Sequence, residues 1–194
     1  MEIQIDVPDG KSGNWEVSTF TVSEKDVALG NIRAMFKPGG RTINPGTYKR
    51  LTRNGNVIMS NTQAEISDQL SFIYIARRAG GHVLINGLGL GITLSAILES
   101  EEIESITVIE KSEDVINLVA STFTNDKRVS IIHADAYEWR PPKDIRYSAV
   151  WHDIWDDICT DNLPQMTKLH RKYGKRCDWQ ESWCRELCQR YARY

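Results

Sequence analysis

The sequence predicts an α/β protein with a Rossmann-like, truncated parallel sheet of strand order 3-2-1-4. A small β appendage precedes this core and a helical tail follows it. Three observations carry the prediction. From His82 onward, short apolar runs alternate with helix-periodic stretches, the pattern of parallel strands joined by right-handed crossovers. The first run, Val83-Leu84-Ile85-Asn86, enters the turn Gly87-Leu88-Gly89-Leu90-Gly91 and then a helix. The second run ends on an acid, Glu110.

Residues 1–60 read as the β appendage. Trp15 to Val22 alternates apolar and polar residues at period two, as a half-buried strand does. Ser23 is placed to cap a short helix from Glu24 to about Phe36, stopped by Pro38-Gly39-Gly40. Tyr48 to Arg53 and Asn56 to Met59 flank Asn54-Gly55, which tolerates the positive φ angles of a type I′ hairpin turn. Residues 61–158 read as the core. Thr62-Gln63-Ala64-Glu65 has capping-box spacing, and Ile66, Leu70, Ile73 and Ala76 repeat at helical intervals until Gly80-Gly81. Strands are then expected at 82–86, 105–110, 129–134 and 147–151, with helices at about 91–99 and 113–122. Residues 159–194 read as a helical tail, broken near Tyr173-Gly174, with no further strand. In order 3-2-1-4 the fourth strand is an edge, and exposed edges invite pairing. Tail helices or a second copy of the chain, making a homodimer, are expected to cover it.

Composition bounds the function classes. The 194 residues are 41% hydrophobic and 26% charged with net charge −2, values typical of a globular domain and not of a disordered one. No apolar run reaches the roughly 18–20 residues that a membrane helix needs. The first residues lack a basic flank followed by an apolar stretch, so a cytoplasmic location with reduced cysteines is expected. Cys159, Cys177, Cys184 and Cys188 lack the paired spacing of a zinc site; they read as packing thiols, and no metal site is assigned. Lys168 to Tyr194 holds eight basic residues and three acids. This surplus is either a solvated helix face or a surface for an anionic partner.

The strand-end residues Asn86, Glu110, Asp135 and Asp153 should converge, because ligands on parallel sheets bind beyond the carboxyl ends of the strands. Gly87, Gly89 and Gly91 let backbone N–H groups approach a ligand without a Cβ in the way. A dinucleotide fingerprint would place its third glycine at Ile92, so a nucleoside without a pyrophosphate fits better, and S-adenosylmethionine is the candidate cofactor. Glu110 can accept from both ribose hydroxyls, and Asp135 with Ala136 can meet the adenine amino group. Asp153 and Asp156 face the place of a sulfonium and can orient or deprotonate an amine nucleophile. His152 is either a base or a structural hydrogen-bonding group. Trp151, Trp155, Trp179 and Trp183 either line an acceptor pocket or pack the core.

On these motifs, residues 82–157 resemble the class I S-adenosylmethionine-dependent methyltransferase fold, and within it the spermidine-synthase-like branch. Val83 to Gly91 is similar to the first motif of the fold, Val108-Ile109-Glu110 to its ribose-binding acid, and His133-Ala134-Asp135-Ala136 to its adenine-binding turn. Asp153-Ile154-Trp155-Asp156 is similar to the Asp-x-x-Asp of aminopropyltransferases, whose first acid is the proposed amine base. The chain departs from the pattern at Ile85, where many methyltransferases carry the acid that holds the cofactor's amino group. It departs again at Leu90, where aminopropyltransferases carry Asp. The Asp/Asn-Pro-Pro-Tyr/Phe run of nucleic-acid amine methyltransferases is absent, which disfavours nucleic acid as partner. The resemblance implies methyl transfer from S-adenosylmethionine to a small or exposed acceptor. The alternatives are aminopropyl transfer and a non-catalytic nucleoside-binding protein with a basic tail.

Overall fold

The computed structural model describes residues 3, 5–25, 27 and 42–193. In chain order its elements are β1 (Gly10–Ser12), β2 (Trp15–Val22), β3 (Gly46–Arg53), β4 (Asn56–Ser60), α1 (Gln63–Ala79), β5 (Gly81–Asn86) and α2 (Ile92–Leu98). There follow β6 (Ile103–Glu110), α3 (Glu113–Val119), β7 (Val129–His133), β8 (Tyr147–His152), α4 (Asn162–Tyr173), β9 (Cys177–Ser182) and α5 (Arg185–Tyr191). The first sheet is antiparallel, β1-β2-β3-β4, and the second is parallel, β7-β6-β5-β8-β9.

The appendage forms for the reasons its sequence gives. Asn54 and Gly55 take φ of 51° and 80°, the two positive angles of a type I′ turn, and β3 pairs with β4 across them. The helix expected from Glu24 to Phe36 lies outside the described residues beyond its first turn, where Val27 N–H donates to Ser23 O at 3.0 Å. Val17 and Leu51 of this sheet are buried in the same cluster as Val83, Ile85 and Val108 of the parallel sheet. Ser12 Oγ also donates to Asp114 at the start of α3, at 2.7 Å. The capping box at Thr62 does not form: the Thr62 side chain makes no cap bond, and Glu65 reaches past it to Ser60.

The parallel sheet obeys period two. Val83 and Ile85, with Ala149 and Trp151, face the helices α1, α2 and α3. Leu84 and Val150 face α4 and the segment 134–146, and Tyr147, at the start of β8, is buried on that side too, outside the alternation. Apolar strands buried on both faces are what a covered parallel sheet requires.

The tail departs from the expectation. Cys177–Ser182 is a fifth parallel strand, registered Tyr147↔Cys177 through His152↔Ser182, with α4 as its crossover. Its residues (Cys-Asp-Trp-Gln-Glu-Ser) hide it because an outer strand buries little of its length; only Cys177 and Ser182 are buried. The order is therefore 3-2-1-4 with one more strand beside the fourth. The free edge of the fourth strand, which tail helices or a homodimer partner were expected to cover, is hydrogen-bonded within the chain to β9, which becomes the outer strand on that side. Phe72 of α1 stacks on Trp151 (5.2 Å between ring centroids) and on Trp179 of β9 (6.0 Å), tying the new strand to the core. Phe72→Ala is expected to cost about 3–5 kcal/mol, read from denaturant unfolding monitored by tryptophan fluorescence.

Candidate active site

Three strand tips are tied together at the glycine turn. Gly87 N–H donates to Ile109 O and Asp153 N–H to Asn86 O, each at 2.8 Å. Gly87 has φ +100°, and a Cβ there would collide with the Asp153 carbonyl. A Cβ on Gly89 would lie 2.6 Å from Met59 Sδ, which itself accepts from Leu90 N–H at 3.3 Å. The β4 hairpin thus lies directly against the turn. Gly91 serves another purpose. It opens α2 with φ +73°, and a Cβ would fall 2.5 Å from the Phe123 ring, so this glycine is fixed by packing and not by the crevice.

A crevice of about 470 Å³ runs along these tips. Gly87, Gly89, Glu110, Asp135, Ala136, Asp153 and Asp156 all line it. Glu110 is held by two backbone donors, Leu88 N–H to Oε2 and Ser112 N–H to Oε1, both 2.8 Å. A carboxylate has about four acceptor sites, so capacity for a diol remains. At one end Asp135 accepts from Lys111 Nζ (2.8 Å) and from Tyr137 N–H (2.7 Å). The Lys111 bond, more than any other influence, holds the Asp135 carboxyl below its ordinary range. Ala136 forms a buried part of the same wall, and its carbonyl accepts from Lys172 Nζ at 2.8 Å.

Asp153 stands at the other end. Burial pushes its carboxyl from 3.8 up to about 7, with the charges of Glu65 and Asp68 adding to the rise and Trp151 opposing it. It therefore exchanges its proton near neutral pH, the property wanted in a base. Asp156 is exposed and ion-paired with Arg53, the last residue of β3. The Arg53 guanidinium lies 5.2 Å from the Trp15 ring centroid, so the appendage closes over this end.

Two expected site residues point elsewhere. Asn86 shares the face of Leu84, and His152 the face of Val150, so both turn toward α4 and are fully buried. Asn86 Nδ2 donates to His152 Nδ1 at 2.7 Å, and His152 Nε2 donates to Gln180 Oε1 at 3.3 Å. Burial lowers His152 to about 3. It is neutral, enclosed and absent from the crevice wall, and so is corrected from candidate base to structural group. Together the pair buttresses the tips from which Asp153 projects. Part of the basic tail is engaged within the chain: Lys172 holds Ala136 and Trp139 carbonyls, Arg176 Nη1 donates to Pro142 O (3.2 Å), and Lys168 sits 4.9 Å over Tyr137, while Arg171, Lys175, Arg190 and Arg193 are exposed. None of the four cysteines is in a disulfide.

The crevice also uses residues that the sequence did not single out for it: Trp15, Arg53, Met59, Glu65, Lys111 and Gln165. Trp155 and Trp183, left between pocket and core, both reach the wall, and Trp155 Nε1 donates to Gln165 Oε1 at 3.0 Å. No motif marks the appendage residues, since only the hairpin's docking brings them near the turn. Glu65 carried a signal that pointed to a helix cap.

Residues 57–173, more than half of the chain, match the family model described as ribosomal RNA adenine dimethylase. No curated protein matches the chain. Among solved structures, a spermidine synthase from Thermotoga maritima aligns over 90% of this chain and 54% of its own, at 14% identity and TM-score 0.52. The plantazolicin methyltransferase, solved with SAH, covers 60% of this chain and 45% of its own at 14% identity and TM-score 0.45. A 23S rRNA methyltransferase covers 45% and 36% at 18% identity and TM-score 0.37. The chain spans only about a third to a half of the length of these structures.

Proposed function

The chain belongs to the ribosomal RNA adenine dimethylase family of S-adenosylmethionine-dependent methyltransferases, and from that premise we propose that it catalyses methyl transfer to a small or exposed acceptor, presenting a nitrogen at Asp153. The observation that carries this reading is the single crevice bringing Gly87, Gly89, Glu110, Asp135 and Asp153 onto one wall. The group fits the residues. Gly87 and Gly89, unlike Gly91, line the crevice, so its floor there is bare backbone with no side chain between it and a ligand. Glu110 has acceptor capacity for ribose hydroxyls, and Asp135 with Ala136 would hold the adenine. When bound, S-adenosylmethionine supplies an electrophilic methyl carbon. Asp153 orients the acceptor nitrogen in line with that carbon and takes up its proton, and positioning of this kind supplies much of a transfer reaction's acceleration. The Trp155 and Trp183 faces narrow the approach and exclude water.

A second reading is favoured by family membership: the acceptor is an adenine amino group in RNA. Against it stands the run Asp153-Ile154-Trp155-Asp156, which places an exposed, Arg53-paired acid at its fourth position. Aminopropyl transfer from the decarboxylated cofactor would use the same crevice, with Asp156 as its second acid. Titration calorimetry with S-adenosylmethionine, S-adenosylhomocysteine and the decarboxylated form tests the cofactor, and no heat at millimolar ligand would end both transferase readings. Radiolabelled methyl incorporation into ribosomal RNA or into small amines separates the acceptors. Glu110→Ala is expected to weaken S-adenosylhomocysteine binding about 10- to 100-fold, the loss of hydrogen bonds to a charged group, and an unchanged Kd would remove the ribose role.

A further inference from the structure

Resting on the cofactor reading above, we propose that Lys172 of α4 is the positioning residue that fixes the turn 135–139 against the cofactor's base and thereby sets which purine the crevice accepts. Adenine and its 6-oxo counterpart differ at one edge, where the first presents an amino donor and the second a carbonyl acceptor. An ionised carboxylate only accepts hydrogen bonds. Asp135 therefore favours the amino group over the oxo group, provided that its oxygens are held at that edge.

The turn does not secure itself. β7 ends at His133 and β8 begins at Tyr147, and the connection between them contains neither helix nor strand. Parallel strands are usually joined through a helix; this connection depends on what packs behind it. Its start is moored to the β6 tip, where Ala134 N–H donates to Glu110 O at 2.9 Å. Tyr137 N–H then donates to Asp135 Oδ1 at 2.7 Å, and the amides of Glu138 and Trp139 donate to Asp135 O at 2.9 and 2.8 Å. These last three bonds shape the turn without tying it to another element.

That tie comes from α4. Lys172 Nζ donates to Ala136 O at 2.8 Å and also to Trp139 O, so one ammonium grips both sides of the turn. Tyr173 Oη adds a longer bond to Ala136 O, at 3.4 Å. Hydrogen bonds from a charged donor are roughly twice as strong as neutral ones, and burial pulls the Lys172 ammonium below its ordinary range, so the cation is kept there at a desolvation cost. Lys111 is differently placed. It reaches Asp135 from solvent with its side chain 78% exposed, and exposed pairs of this kind hold little. Lys111 foremost, with Tyr137 N–H and the Lys172 charge adding, keeps the Asp135 carboxyl below its ordinary range, but Lys172 is the cation that grips the backbone.

The test is calorimetry on the full chain with S-adenosylhomocysteine and with S-inosylhomocysteine, which carries the 6-oxo purine on the same ribose and tail. Wild type should prefer the adenine ligand about 10- to 100-fold. Lys172→Met should weaken S-adenosylhomocysteine about tenfold and leave S-inosylhomocysteine within about twofold, so the preference itself shrinks. Arg171→Met, which removes an exposed charge from the same helix, should change neither. Lys172→Arg keeps the charge, but its planar fork cannot grip both carbonyls from one point, and its preference should fall between wild type and Lys172→Met. If the Met variant does not fold, an Arg variant with the full wild-type preference overturns the proposal. Equal losses for the two ligands, no loss for either, or a wild type without preference would overturn the role of Lys172 while leaving the cofactor reading intact. A wild-type chain that binds neither ligand overturns both.

Discussion

Asp153→Asn is expected to lower turnover by about 10²- to 10⁴-fold, the usual contribution of a positioned acid–base group, while S-adenosylhomocysteine still binds within a few-fold of wild type. Asparagine keeps the shape and the backbone bond to Asn86 O, but it neither takes a proton nor attracts an amine. Wild-type kcat/KM should rise with pH through an ionisation near 7, where burial has placed the carboxyl. The residual activity of the variant should lack that step. The stability consequence runs the other way. The folded pKa of about 7 lies above the ordinary 3.8, so between those values the native state holds a proton that the unfolded chain has lost. Unliganded protein should therefore lose stability as pH rises from about 4 to about 7 and level off above it. The Asn variant should show no such decline in thermal melts across that window. Full turnover in the variant would remove Asp153 from the mechanism.

What could be read from the chain divides along physical lines. The strand, glycine turn, helix and Glu110 are local patterns: each depends on residues within a few positions of one another, and each forms as expected. The hairpin at Asn54-Gly55 forms for the same reason. Period two is also legible, and it extends to the strand tips. Counting alternation back from Leu84 and Val150 puts Asn86 and His152 on the α4 face, away from the ligand. β9 could not be read because Asp178, Gln180, Glu181 and Ser182 leave Trp179 as a lone large apolar residue, with neither an apolar run nor a sustained alternation. Its place is secured from outside, by the ladder to β8, the Trp179 stack on Phe72, and Gln180 Nε2 donating to His170 O at 2.9 Å. The appendage's part in the site was hidden for a third reason. Arg53 and Met59 reach the crevice only because Val17 and Leu51 bury against the parallel-sheet core, a long-range consequence with no local signature.

That docking gives the two crevice glycines unequal weight. Gly89 carries φ +52°, a left-handed angle alanine adopts at about 1–2 kcal/mol, and the atom its Cβ would meet is the end of a flexible methionine. Met59 can swing aside, so Gly89→Ala should weaken cofactor binding modestly and leave the fold intact. Gly87 has no such escape. Its φ of +100° lies outside the left-handed well, and strain of that kind costs about 1–3 kcal/mol. The obstacle is also backbone: the carbonyl of Asp153, fixed in turn by its N–H bond to Asn86 O. Room for a methyl group can be made only by moving the β8 tip, and with it the carboxyl that orients the acceptor. A displacement on the order of 1 Å costs about 100-fold in rate. Gly87→Ala is therefore expected to lower both the melting temperature and turnover far more than Gly89→Ala, with the Asp153 ionisation shifted in the pH profile of whatever activity remains. Equal effects of the two substitutions on melting and on kcat would show that the contact between Gly87 and Asp153 does not hold the site together.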